Sequence, residues 1–205
     1  GRSGRLRGLQ GMPAEMVERL LTEAPCLRQG EPLLYTEPLS RAGTVYLFGA
    51  GHVGKALVPI LAMTDFQVVI CDARPHAANR ELFPQAAKVK CLAYEDAFSH
   101  LPPVTEEDYI VIMTPGHQAD FEVLRQALAT PARYIGCIGS RRKVAATREK
   151  LLAVGIPAEE IDRVWSPIGL DIGGDTPAEI AVSVAAQLIA CRSGHLEERG
   201  QRHGG

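Results

Sequence analysis

The chain has 205 residues, 46% of them apolar and 22% charged, with a formal net charge of −2. That length and composition suit one well-packed globular domain with appendages, and not a disordered or fibrous chain. A balance so close to neutral argues against a broad electrostatic grip on nucleic acid or anionic lipid, and leaves room for local anion sites.

In chain order, Gly1-Arg2-Ser3-Gly4-Arg5 lacks the apolar segment of a signal peptide and reads as the start of a fragment, so the cytoplasm is the expected compartment. No apolar stretch reaches the roughly 20 residues that span a bilayer. Residues 1–43 read as an appendage. Within it, Met16, Val17, Leu20 and Leu21 mark one face of a helix over Pro13–Ala24, and Leu33-Leu34-Tyr35 reads as a short strand. From Thr44 the pattern changes to strands alternating with helices. Strands are expected at Val45–Phe48, Gln67–Cys71, Lys88–Cys91, Tyr109–Met113 and Tyr134–Ile138. Helices are expected at His52–Met63, Tyr94–Phe98, Gln118–Leu128, Ser140–Val154 and Pro177–Cys191. Apolar strands separated by crossover helices predict an α/β fold with a Rossmann-like, doubly wound parallel sheet over residues 44–193. Residues 194–205 form a polar, glycine-rich tail expected to fray.

The turn Gly49-Ala50-Gly51-His52-Val53-Gly54 follows an apolar strand and opens a helix, the context in which Gly-x-Gly-x-x-Gly signals dinucleotide binding. Gly49 permits the tight turn, Gly51 lets the backbone approach a pyrophosphate, and Gly54 packs helix on strand. About twenty residues on, Asp72 ends the second strand, where an acid accepts the ribose hydroxyls of NAD; Arg74 instead suits the 2′-phosphate of NADP. The pair slightly favours NAD over NADP. His52 either fills space at the helix start or touches phosphate or a second ligand.

Three further loops fall at strand ends. Thr114 can cap a turn, and His117 and Asp120 stand one helical turn apart, as an acid/base pair, a ligand with its orienter, or a helix-start network. Two such groups are too few to define a metal site, and none is expected. Gly139-Ser140-Arg141-Arg142-Lys143 places three cations at a helix start, against the dipole, which points to an anion there. Thr176 and Glu179 form a capping box with Pro177 at the first helical position; the glycines before it imply a close approach, to ligand or to a neighbouring strand. The five cysteines are scattered, without a Cys-x-x-Cys pair, and Cys71 and Cys137 read as small core hydrophobes. No nucleophile triad is visible. The catalytic candidates are therefore only His117, Asp120 and His52.

Four segments together resemble the XdhC/CoxI family of accessory proteins for molybdenum hydroxylases such as xanthine dehydrogenase. They are Phe48–Leu57, Asp72-Ala73-Arg74, Ile138–Lys143, and Pro167–Leu170 with Thr176–Ala181. The resemblance implies a Rossmann domain, a homodimer, and binding of molybdenum cofactor (molybdopterin). It also implies transfer to a hydroxylase apoenzyme, with sulfuration that brings in a cysteine desulfurase. Two departures stand out: Cys26 is followed by Leu27-Arg28-Gln29 in place of the family's Cys-x-Gly-Gly, and Pro115 stands where a second histidine is common. Three functions compete: a non-catalytic cofactor chaperone, an NAD(P)-dependent oxidoreductase using His117 or His52, and a nucleotide-sensing module. The resemblance puts the chaperone first. The absence of a separate substrate domain counts against the oxidoreductase, and the absence of a DNA-binding helical segment against a transcriptional sensor.

Overall fold

The computed structural model describes residues 26–28, 34–36 and 43–196. The chain divides into two compact units, Gly1–Arg41 and Ala42–Gly205. In the first, β1 (Cys26–Arg28) pairs antiparallel with β2 (Leu34–Thr36), Cys26 opposite Thr36. The expected strand at Leu33–Tyr35 thus begins one residue later, with a partner that its neighbours' polarity concealed. The expected helix over Pro13–Ala24 lies outside the described residues.

The second unit is a six-stranded parallel sheet. Its strands are β3 (Thr44–Phe48), β4 (Gln67–Asp72), β5 (Lys88–Cys91), β6 (Tyr109–Ile112), β7 (Tyr134–Cys137) and β8 (Val164–Trp165). They lie in the order β5-β4-β3-β6-β7-β8, all parallel. Helices α1 (His52–Met63) and α5 (Pro177–Arg192) belong to one face of this sheet, and α2 (His117–Ala127), α3 (Arg141–Ala153) and α4 (Ala158–Asp162) to the other. The period-two alternation of the strands builds both cores at once. Val45, Leu47, Val68, Ile70, Tyr109 and Val111 pack toward α1 and α5, while Tyr46, Phe48, Val69, Cys71, Ile110 and Ile112 pack toward α2 and α3. Burial on both faces explains the uninterrupted apolar runs. Of these six strands only β5, at the edge, carries lysines, Lys88 and Lys90, which discourage pairing with another sheet.

Besides β1, a 3₁₀ turn at Arg80–Leu82, strand β8 and helix α4 escaped the sequence reading. β8 is two residues long and α4 five, too short for any periodicity to show. A 3₁₀ turn at Ala97–His100 replaces the short helix expected at Tyr94–Phe98. The capping box forms as expected: Thr176 accepts from the Glu179 amide, and the Glu179 carboxylate accepts from the Thr176 amide. At the far end of α5, Arg192 lies 4.4 Å from the Phe66 ring centroid and donates to the Thr64 carbonyl, fastening α5 to the end of α1. Among the described residues no helix is long and apolar enough to cross a membrane.

This architecture positions the site. Strand β3 pairs with β4 on one side and β6 on the other, so the chain leaves the sheet in opposite directions at their carboxyl ends. A crevice opens at such a switch point. The first turns of α1 and α2 begin there, after Gly51 and Gly116, neither with a side-chain cap.

Candidate functional site at the switch point

The three glycines of the first turn have different reasons to be glycine. Gly49 has φ +115°, and an added Cβ would stand 2.2 Å from the Met113 carbonyl oxygen. At Gly54 a Cβ would lie 2.6 Å from the Gly49 oxygen, so the start of α1 packs directly on the turn. Gly51 has neither constraint. Its φ of −80° and ψ of −167° suit any residue, and a Cβ there would meet nothing within 4 Å. The space beside Gly51 is open, on the side from which a ligand approaches the free amides of α1. Val53 turns inward against the core, and Ala50 is buried.

Asp72 has a different job from the one its position suggests. Its carboxylate is fully buried: Oδ2 accepts from the Ala50 amide at 2.7 Å and Arg74 Nη2 at 2.8 Å, Oδ1 from the Arg74 amide and Nε at 2.9 Å. Four donors fill the acceptor capacity of a carboxylate. Burial by itself raises the acid's pKa, but the Arg74 guanidinium and the two amides outweigh it and hold the group at about 2. Asp72 therefore ties the glycine turn to the end of β4. Its oxygens do not face a ribose; Arg74, with 39% of its side chain exposed, faces the crevice in their place.

The crevice is a cleft of about 360 Å³, within the range of small-molecule sites. Gly51, His52, Lys55, Arg74 and His76 line it over a floor that includes Met113. Among the described residues no carboxylate lines it, so its polar lining is two cations, two imidazoles and backbone amides. That chemistry selects an anion. The sequence reading found Gly51, His52 and Arg74 but missed Lys55 and His76. Both follow recognised site residues by one turn or two positions, the only signal in the sequence for them.

Across the switch point the picture reverses. Asp120 is fully buried, with Oδ1 accepting from the Thr114 hydroxyl at 2.5 Å and from its amide at 3.1 Å, while Oδ2 is held by the Lys143 ammonium. His117 is exposed, and the Asp120 oxygens are engaged elsewhere, so the expected acid/base pair is not assembled. The basic cluster changes in the same way. Lys143 reaches back over Gly139, where a Cβ would crowd its stem at 3.0 Å, to neutralise Asp120. Ser140 caps α3 through the Lys143 amide, and Arg142 is exposed. Gly139, Ser140, Arg142, Lys143, Thr114 and His117 do not line the cleft; beneath α3 lies a cavity of about 60 Å³. Of the glycines before α5, Gly169, at φ +96°, abuts Ser183 and its amide donates to Gln187, and Gly174 abuts Glu179, whereas Gly173 borders open space.

Cys71 and Cys137 are buried, and burial pushes both thiols up to about 12, the behaviour of core groups. Among the described residues no three His, Cys, Asp or Glu side chains converge as a metal site.

Sheet order, switch point and glycine turn define a Rossmann-type α/β protein. Residues 45–188 match the XdhC Rossmann domain, and the chain belongs to that family. One relative is a Bacillus subtilis (strain 168) protein whose name makes it a probable subunit of xanthine dehydrogenase. The two are 34% identical over 146 residues, covering 71% of this chain and 42% of that protein. The chain is also 31% identical over 147 residues to YqeB of Escherichia coli (strain K12), covering 72% of this chain and 27% of that one. It thus spans less than half the length of these relatives. A solved structure titled as a xanthine dehydrogenase from Bacillus halodurans superimposes with a TM-score of 0.65 at 30% identity, over 83% of this chain and 46% of that one.

Proposed function

We propose that this chain is the cofactor-holding Rossmann unit of an accessory protein for a xanthine dehydrogenase-type molybdenum hydroxylase. The observation that carries the reading is the cleft beside Gly51: open space at the free amides of α1, lined by Lys55, Arg74, His52 and His76, with no carboxylate among the described residues. Such a lining suits a phosphate-bearing cofactor, either a dinucleotide (NAD or NADP) or molybdopterin. The α1 amides and Gly51 would receive a phosphate, Lys55 and Arg74 would balance its charge, and Met113 would give the ring system an apolar floor. Redox and metal chemistry belong to the bound cofactor. The chain's own groups bind and orient it, and the hydroxylase apoenzyme receives it. A cysteine desulfurase, a homodimer and a cytoplasmic setting complete this reading through the family relationship.

The state of the buried carboxylates favours holding over turnover: all four acceptor positions of Asp72 are taken, and both oxygens of Asp120 are engaged by Thr114 and Lys143, so neither is poised to move a proton. The test is calorimetric titration of the 205-residue chain with NAD(H), NADP(H), FAD and isolated molybdenum cofactor. Binding of molybdenum cofactor without NAD(P)H oxidation is the expected result. Binding confined to NAD(P)H, with turnover of a small substrate, would make the protein an oxidoreductase instead.

A further inference from the structure

We infer that Arg74, braced by Asp72, makes the β4 end of the cleft a reader of a phosphomonoester and not of a ribose diol. This rests on the cofactor-holding reading above and names the group that the cleft selects.

The usual acid at this strand end serves by accepting hydrogen bonds from two sugar hydroxyls. Asp72 has no capacity left for that: it is fully buried, and all four of its acceptor positions are taken. What faces the cleft is the guanidinium it holds. Arginine has five N–H donors in a rigid fork. Nε and one Nη2 hydrogen go to Asp72, which leaves the two Nη1 hydrogens and the second Nη2 hydrogen for a ligand. Because the carboxylate fixes the fork from behind, little side-chain freedom remains to be lost when a ligand binds. The partner that matches is an acceptor-only anion of tetrahedral shape. Lys55 and His76 border the same cleft and add donors, and among the described residues no acid lines it to repel the charge.

The phosphomonoester has two possible bearers, the 2′-phosphate of a dinucleotide and the terminal phosphate of the pterin cofactor. Three ligand pairs separate them: NADPH with NADH, adenosine 2′,5′-bisphosphate with 5′-AMP, and the fluorescent oxidised pterin of molybdenum cofactor before and after phosphatase treatment. In at least one pair the phosphorylated member should bind about 10- to 100-fold more tightly, the worth of charged hydrogen bonds. Preference in the first two pairs assigns the 2′-phosphate, and in the third alone the pterin phosphate. Arg74→Gln should collapse the ratio to near unity, and Arg74→Lys should recover part of it. Should Arg74→Gln fail to fold, Arg74→Lys carries the test, since it keeps the charge and loses the fork: the ratio should fall several-fold, and an unchanged ratio would overturn the role given to Arg74. Equal affinity within every pair would overturn the inference while leaving the cofactor-holding reading intact, and no binding of any ligand would remove both. A preference that survives in folded Arg74→Gln would assign the phosphate to Lys55 or the α1 amides, and would equally overturn the role given to Arg74.

Discussion

The two sides of the switch point are built from the same local plan and end in opposite states. On each side an apolar strand runs into a glycine and then a helix start, and on each side a fully buried aspartate accepts from a cation. Beside β4 the cation, Arg74, remains half-exposed in a cleft of about 360 Å³. Beside β6 the cation, Lys143, is drawn inward to Asp120 and Thr114, its side chain only 18% exposed, with a cavity of about 60 Å³ under α3. The difference is one of geometry. Arg74 reaches Asp72 over two residues with one edge of a five-donor fork, leaving donors over. Lys143 reaches Asp120 across 23 residues with a single ammonium, and in doing so pins α3 to α2 and the end of β6. One side keeps donors free at an open cleft; the other is a clamp.

That contrast can be broken at the clamp with the largest effect. Asp120→Ala leaves Lys143 and the Thr114 donors without their acceptor, and should cost about 3 to 5 kcal/mol in urea unfolding. A loss under about 1 kcal/mol would mean that Lys143 reaches solvent freely and the clamp is superficial.

The glycine turn gives a sharper test within one motif. Gly49→Ala, at φ +115° and against the Met113 carbonyl, should cost on the order of 2 to 3 kcal/mol. Gly51→Ser should leave stability unchanged or raise it by up to about 1 kcal/mol, since serine caps α1 in the conformation already present. The same change should abolish the binding of any ligand whose phosphate approaches the α1 amides. Unfolding curves and titrations of both variants check the pair, and a Gly51→Ser protein of normal affinity would remove the turn from the site.

Acid should weaken the Asp72–Arg74 pair. The Asp72 carboxyl stands at about 2 in the fold against an ordinary 3.8, a depressed acid, so its stabilisation is complete above pH 4 and fades as the pH falls toward 2. The loss is on the order of 2 kcal/mol, measured as the change in unfolding free energy between pH 5 and pH 2. In Asp72→Asn that component of the pH dependence should vanish.

The smallest effect is expected at Arg142. Exposed and outside the cleft, it should tolerate exchange for glutamine with less than about 0.5 kcal/mol change in stability and no change in affinity or its salt dependence. A weakened ligand in Arg142→Gln would restore the basic cluster as an anion site.

How far these assignments were legible follows from the range of each interaction. The two-sided burial of Val45–Phe48 and Tyr109–Ile112 is written in uninterrupted apolar runs, and the caps at Thr176 and Ser140 in residues three positions apart. Strand and helix locations, the parallel doubly wound class and the position of the glycine turn therefore follow from the chain itself, because they depend on neighbours within one turn or one strand. The alternation of strands with helices also placed the loops of interest at the carboxyl ends of the strands.

Only the tertiary structure decided which charges remain available there. Asp72 had the right spacing for a ribose, yet Ala50, 22 residues earlier, and Arg74 fill its oxygens. His117 and Asp120 lay one turn apart, yet Lys143 holds the aspartate. The basic run at the start of α3 read as an anion site because its carboxylate partner lies on another helix. Val164-Trp165 became a strand only because β7 offered an edge to pair with. A charge in a sequence has no fixed partner; folding supplies one wherever desolvation makes an unpaired buried ion more costly than a distant contact.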